Sequence, residues 1–305
     1  MTIQTITPEL LAGSVLSVPP LARKADYSLD REGNRRILAH LAAGGVTTAL
    51  YGGNANLYNM GVREFGALLD QLEDIAPADS WIIPSVGPDY GNAEDQLAIL
   101  KDRALPTAML LPLVFPATSA GVATGVRRLA ERFGRPLIAY VKDSKFITAG
   151  DLAGLFKDGA VCAIKYAIVL DDPTRDPYLD ALLKDVDRRY IVSGMGERPA
   201  VAHLSQSGLN GFTSGSVCIA PAMSQGILLA LKAGDVARAN ALREKFLPLE
   251  DLRDGHSPLR VLHAAVAAAG VAETGPLLPF LDTITDADLL ARIAAAAKAL
   301  LAEEM

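Results

Sequence analysis

Residues 136–166 read PLIAYVKDSKFITAGDLAGLFKDGAVCAIKY and hold two short strand-like runs with a helical segment between them. PLIAYV (136–141) and VCAIKY (161–166) are apolar almost throughout, as strands buried on both faces are. Between them, Ala149–Phe156 carries apolar residues at helical spacing. Strand, helix and strand joined in this way form a unit of a parallel α/β sheet. The same alternation continues outward from this unit in both directions.

Earlier strand-like runs are GSVLSV (13–18), TTALYG (47–52), WIIPSVG (81–87) and TAMLLP (107–112); later ones are RYIVSG (189–194) and NGFTSG (210–215). Helical spacing fills the gaps at Arg31–Ala43, Arg63–Ile75, Ala93–Arg103, Gly121–Phe133, Pro177–Arg188 and Pro199–Ser207. Eight strands alternating with helices within ~210 residues predict a sheet closed into a (β/α)8 TIM barrel. An open doubly wound sheet is the competing α/β architecture. SVLSVPPLARK, however, follows the first strand where a dinucleotide-binding fold carries G-x-G-x-x-G. After Pro221 the pattern is purely helical, through SQGILLALKAGD, VARANALREKFLPLEDL, SPLRVLHAAVAAAG and DADLLARIAAAAKALLAEE. The expected organisation is a barrel over residues 1–222 and a C-terminal α-helical domain over 223–305.

The chain has 305 residues, of which 50% are hydrophobic and 21% charged, and a formal net charge of −6. That balance suits a globular protein with a large core and argues against nucleic acid or an anionic membrane surface as partner. The N-terminus, MTIQTITPELLAGSVLSVPP, lacks the pattern of a secretory signal, and no apolar stretch reaches membrane-spanning length. A cytoplasmic protein is expected. Cys162 and Cys218 lie in VCAI and SVCIA and read as buried free thiols. His40, His203, His256 and His263 fall away from strand ends without ligand spacing, so no metal site is expected.

Lys165 is the anomaly in this pattern, a charge inside an apolar strand. Either its ammonium escapes to solvent at the strand end, or the chemistry requires a neutral amine. In a barrel, strand six delivers Lys165 to the C-terminal mouth, where active sites of this fold lie. Tyr140 falls at the same level of strand five, and adjacent strands are about 4.8 Å apart. A neutral lysine condenses with a ketone, and a phenol beside it can move protons to and from a substrate hydroxyl. Strands seven and eight offer a weaker alternative, a phosphate cradle at Ser193–Gly196 and Ser214–Ser216.

With these residues in place, the chain resembles the dihydrodipicolinate synthase and N-acetylneuraminate lyase family of class I, Schiff-base aldolases. AIKYA resembles that family's GIKEA, and YVKD its Y-N-x-P. SGMGERPAVAHLSQSGLNGFTSGS and HSPLRVLHAAVAAAG echo its later motifs. The resemblance implies Lys165 as the Schiff-base lysine and Tyr140 as the proton-transfer tyrosine. It also implies a substrate-binding set of Gly53, Asn54, Lys145, Gly194 and Thr213. The expected ligand is pyruvate or a related 2-keto acid, with an aldehyde as co-substrate where the reaction is a condensation. No organic cofactor is expected, and the resemblance implies a homotetramer or dimer.

The departures are equally specific. Gly52-Gly53-Asn54-Ala55-Asn56 stands where the family has G-T-T-G-E, so both carboxylate-binding hydroxyls are gone. Asn54 and nearby main-chain amides are the remaining donors. Pro112-Leu113-Val114-Phe115-Pro116 replaces P-Y-Y-N-K-P, which removes a hydroxyl relay and argues against the lysine-biosynthetic synthase itself. Lys145 keeps the charge of an arginine but not its fork. Tyr166, Met195 and Gly196 replace acidic residues and are expected to rebuild the pocket mouth. A catalytically silent barrel that binds a small acid or sugar is the non-enzymatic alternative.

Overall fold

The protein is described from a computed structural model that covers residues 5–170, 172 and 175–304. Its strands are β1 (Leu16–Ser17), β2 (Thr48–Tyr51), β3 (Trp81–Val86), β4 (Met109–Leu110), β5 (Leu137–Val141), β6 (Val161–Tyr166), β7 (Ile191–Ser193) and β8 (Gly211–Ser214). They pair in parallel, in chain order, and β8 closes on β1. This is a (β/α)8 TIM barrel. The strands are almost wholly buried, as a parallel sheet sheathed by helices requires.

A short helix, α1 (Pro8–Gly13), precedes the barrel. It lies against the entry to β8, where Asn210 Nδ2 donates to the Pro8 carbonyl at 2.6 Å. Six residues capped by Thr7 are too few to show helical periodicity, so α1 is not legible from spacing. Six ring helices follow in order: α2 (Arg31–Ala43), α3 (Val62–Ile75), α4 (Tyr90–Leu100), α5 (Ser119–Phe133), α6 (Ala149–Lys157) and α7 (Pro177–Leu182). Then come α8 (Glu197–Ser205), α9 (Pro221–Lys232), α10 (Val236–Gly255), α11 (Pro258–Ala268) and α12 (Ala287–Glu304).

The quoted unit shows how sequence becomes structure. Thr148 caps α6 by accepting from the Asp151 amide. Gly159, at φ +76°, ends the turn that follows, in a conformation other residues adopt with strain. β6 then pairs with β5 in a register that places Tyr140 opposite Lys165.

Two expectations are corrected. The helix expected over Pro177–Arg188 stops at Leu182, and a 3₁₀ turn over Arg188–Tyr190 leads into β7. The cysteines expected as buried free thiols are both free, but only Cys218, in a 3₁₀ turn over Ser216–Cys218, is buried, and Cys162 is partly exposed. Because α9 packs on α2, α8 and α10, it takes the place of the eighth ring helix. Among the described residues no helix is long and apolar enough to cross a membrane.

Candidate active site

Side chains alternate along a strand, so Lys165 and Tyr166 face opposite ways. Lys165 turns into the barrel and is 4% exposed. Its Nζ lies 4.3 Å from the centroid of the Tyr140 ring, over the ring face. Burial, with smaller contributions from the charges of Lys142 and Arg253, pulls the lysine pKa down to about 7. A cation over a phenol ring gains roughly 0.5–2 kcal/mol, against roughly 5 kcal/mol for a displacement of this size. Desolvation wins, and a large share of the amine is neutral at pH 7. Burial pushes the Tyr140 phenol up to about 12, so it holds its proton at neutral pH.

Pairing places two more of the expected residues on the same wall. Lys165 pairs with Val192, and Val192 with Gly211. Gly194 and Thr213 each stand two residues beyond those partners, on the same face and one step nearer the rim. Gly194 packs on the lysine itself. A Cβ there would meet Ala167 Cβ at 2.7 Å, the Tyr166 carbonyl at 2.8 Å and Lys165 Cγ at 3.0 Å. Gly194→Ala is therefore expected to cost about 1–3 kcal/mol and to displace the Lys165 stem. Urea unfolding and the rate of reductive imine trapping check both parts; wild-type values in both would refute the packing argument.

Gly53 and Asn54 lie in a 3₁₀ turn, Gly53–Ala55, immediately after β2. The C-terminal helices fix this turn from outside. His263 on α11 is buried, and its Nε2 donates to the Asn54 carbonyl at 2.8 Å. Burial holds the imidazole near pKa 4, so it is neutral. Asn54 Nδ2 donates to the Val18 carbonyl at 2.9 Å, which leaves its second N–H. Lys145 does not join the group: it is exposed, in the loop after β5.

Tyr166 is not a mouth residue, contrary to expectation. It faces the helical layer, where its hydroxyl donates to Asp176 and its ring packs against Tyr178 and His203. The serines of the phosphate-cradle reading are engaged within the protein. Ser193 bonds His203 Nδ1 at 2.8 Å, Ser214 accepts from the Val217 amide at 3.0 Å, and Ser216 accepts from Arg253 at 3.1 Å.

Three features escaped the sequence reading. Tyr58 stands over Gly53, whose Cβ would lie 3.7 Å from its ring, and within electrostatic reach of Tyr140. Arg253 reaches the mouth from α10. Glu197 and Glu250 form a buried acidic pair behind it, and Glu250 accepts from the Glu197 and Arg198 amides at 3.0 and 2.8 Å. Only Tyr58 had a local signal, as an aromatic residue just past the Gly/Asn turn of strand two.

Fold and rim together define a (β/α)8 barrel with a buried lysine paired to a tyrosine at its mouth. The sequence model of the dihydrodipicolinate synthetase family matches residues 112–298, and the chain belongs to that family. No curated protein matches the chain in sequence. Among solved structures, a dihydrodipicolinate synthase from Bacillus clausii superposes with a TM-score of 0.82 at 20% identity, covering 97% of this chain and 98% of the other. YagE from E. coli K12, a prophage protein of the dihydrodipicolinic acid synthase family solved with pyruvate, gives 0.80 at 18% identity, covering 94% and 98%. A catalytic-lysine mutant of Ruminococcus gnavus sialic acid aldolase gives 0.81 at 12% identity, covering 96% and 98%.

Proposed function

We propose that the protein is a class I lyase in which Lys165 forms a Schiff base with pyruvate or a related 2-keto acid. The observation that carries this reading is the desolvated Lys165 amine held against the Tyr140 ring at the barrel mouth. In the proposed cycle the neutral amine adds to the ketone carbon, and the carbinolamine loses water to give an iminium. The iminium accepts the electron pair released when the bond between the next two carbons along the chain is cleaved, or when the C–H on the neighbouring carbon is deprotonated ahead of dehydration, and either step leaves an enamine. Tyr140 passes its proton to, or recovers it from, the oxygen that changes charge. The enamine left on the lysine takes a proton at carbon to restore the iminium, and water then hydrolyses it to the keto acid and frees Lys165.

The surroundings favour an anionic substrate. In a protein of net charge −6, the charges of Lys142 and Arg253 both act on Lys165, a local positive field that attracts small acids. Gly53, Asn54, Gly194 and Thr213 form the proposed binding wall, and Lys145 a contact available only to a substrate that extends out of the mouth. Assembly into a dimer or tetramer is part of this reading. Phe115 is 85% exposed beside an apolar groove of about 560 Å³ lined by Leu113, Pro116 and Val122, a surface that a second copy would cover.

The test is turnover of a panel of 4-hydroxy-2-keto acids and 3-deoxy-2-keto sugar acids, followed by release of pyruvate or loss of water. Cleavage or dehydration of at least one member, absent from Lys165→Ala, is expected. No turnover and no binding of any member would refute the reading.

A further inference from the structure

The loop after β2 has lost the hydroxyls that a carboxylate would be expected to use, yet the mouth retains a strong donor that the barrel does not supply. Arg253 lies near the end of α10, and its side chain is only 11% exposed. Two of its three nitrogens are anchored: Nη1 donates to Ser216 Oγ at 3.1 Å and Nε to the Pro258 carbonyl at 3.4 Å. Among the described residues nothing accepts from Nη2. That nitrogen lies beside Gly215, where a Cβ would lie 2.7 Å from Asn54 Nδ2, 2.8 Å from Arg253 Nη2 and 2.9 Å from Leu262 Cδ2. A guanidinium nitrogen and an amide nitrogen therefore lie side by side just past β8, close enough together to share a carboxylate placed beyond them. A side chain at 215 would press on the ends of Asn54, Arg253 and Leu262 and displace them.

The charge balance agrees. A buried cation is costly unless an anion answers it. The nearest carboxylate to Arg253 is Glu250, at 4.0 Å. Glu250 is itself turned towards the amides that open α8 and towards Glu197. Burial and the Glu197 charge push its pKa well up, so it answers the guanidinium incompletely. Arg253 is also one of the charges that depress Lys165.

We propose that Arg253, delivered by the appended helices, grips the carboxylate of the 2-keto acid together with Asn54 and so replaces the missing loop hydroxyls. This rests on the Schiff-base reading above for the identity of the ligand. A 2-keto acid carries its carboxylate directly on the ketone carbon, so holding the carboxylate presents the ketone to Lys165. His263 and Ser216 act as positioning residues, the first through the Asn54 carbonyl and the second through the guanidinium.

The test compares a charged ketone with a neutral one. Borohydride trapping is measured against concentration for pyruvate and for hydroxyacetone, in wild type, Arg253→Gln and Arg253→Lys. Losing a charge-assisted pair raises the pyruvate concentration for half-maximal trapping about ten- to a hundredfold in Arg253→Gln. Arg253→Lys recovers part of that loss, and hydroxyacetone shifts only by the small change in Lys165 ionisation that losing the Arg253 charge brings. An equal loss for both ketones, or none for pyruvate, would overturn the proposal. Thermal unfolding of each variant guards against a merely structural effect, and Arg253→Lys stands in if Arg253→Gln does not fold. Pyruvate binding to Lys165→Ala, followed by saturation-transfer NMR, separates this claim from the Schiff-base reading. Even if wild type traps no ketone, adding Arg253→Gln to Lys165→Ala should weaken binding at least tenfold; unchanged or undetectable binding in Lys165→Ala would contradict the carboxylate grip.

Discussion

Replacing Lys165 by methionine is expected to stabilise the protein by about 4 kcal/mol at pH 7 while abolishing imine formation. The argument is one of linkage. In the unfolded chain the lysine keeps its proton up to about pH 10.5, whereas in the fold it loses it near 7. Between those values the unfolded state binds more protons, so wild-type stability rises with pH and is lost as pH falls towards 7. Methionine fills a similar volume without the charge and removes that slope. The advantage of Lys165→Met should level off at its largest below pH 7, stand near that value at pH 7 and shrink as pH approaches 10.5. Urea denaturation at pH 7 and pH 10 reads this directly. A difference that does not change with pH would mean that Lys165 is hydrated and charged in the fold, the snorkelling alternative.

Tyr140→Phe carries the second large effect. The ring stays, and with it the surface on which Nζ rests 4.3 Å from the centroid; only the hydroxyl is lost. Because the phenol is held protonated, its contribution is to deliver and recover a proton. Removing general acid–base assistance of this kind costs about 10²–10⁴-fold in turnover. Reductive trapping of a 2-keto acid should persist, since amine addition can draw its proton from water. The expected signature is a separation between turnover and trapping in the same protein. Equal loss of both would make Tyr140 a packing partner of Lys165, and retention of both would pass the proton-transfer role to Tyr58.

Much of this was legible in the sequence because barrels repeat one physical solution. Strands buried on both faces must be apolar throughout, and the helices over them must be amphipathic; β2 to β8 and α2 to α6 announce themselves by those two periods. Lys165 was conspicuous for the same reason, as a charge breaking a run that the fold requires to be apolar. Alternation alone would have turned Tyr166 outward once Lys165 was placed inside. Matching it to a family glutamate obscured that.

Arg253 was not legible. It lies almost forty residues past β8, in a helix whose surface charges look alike until the helix is docked. Glu250 is hidden in the same way, since its role in capping α8 exists only after α10 crosses it. The Gly53–Asn54 turn was recognisable as a turn rich in donors. Which of those donors remain open depends on Val18, His263 and Gly215, each distant in sequence.

The central claim, that Lys165 forms an imine with a 2-keto acid, is tested most directly by borohydride reduction in the presence of pyruvate, read by intact mass and peptide mapping. A single reduced adduct on Lys165, absent from Lys165→Ala, is the predicted result. A folded protein that gives no adduct with pyruvate or any other 2-keto acid, or one modified at surface lysines alone, would contradict it.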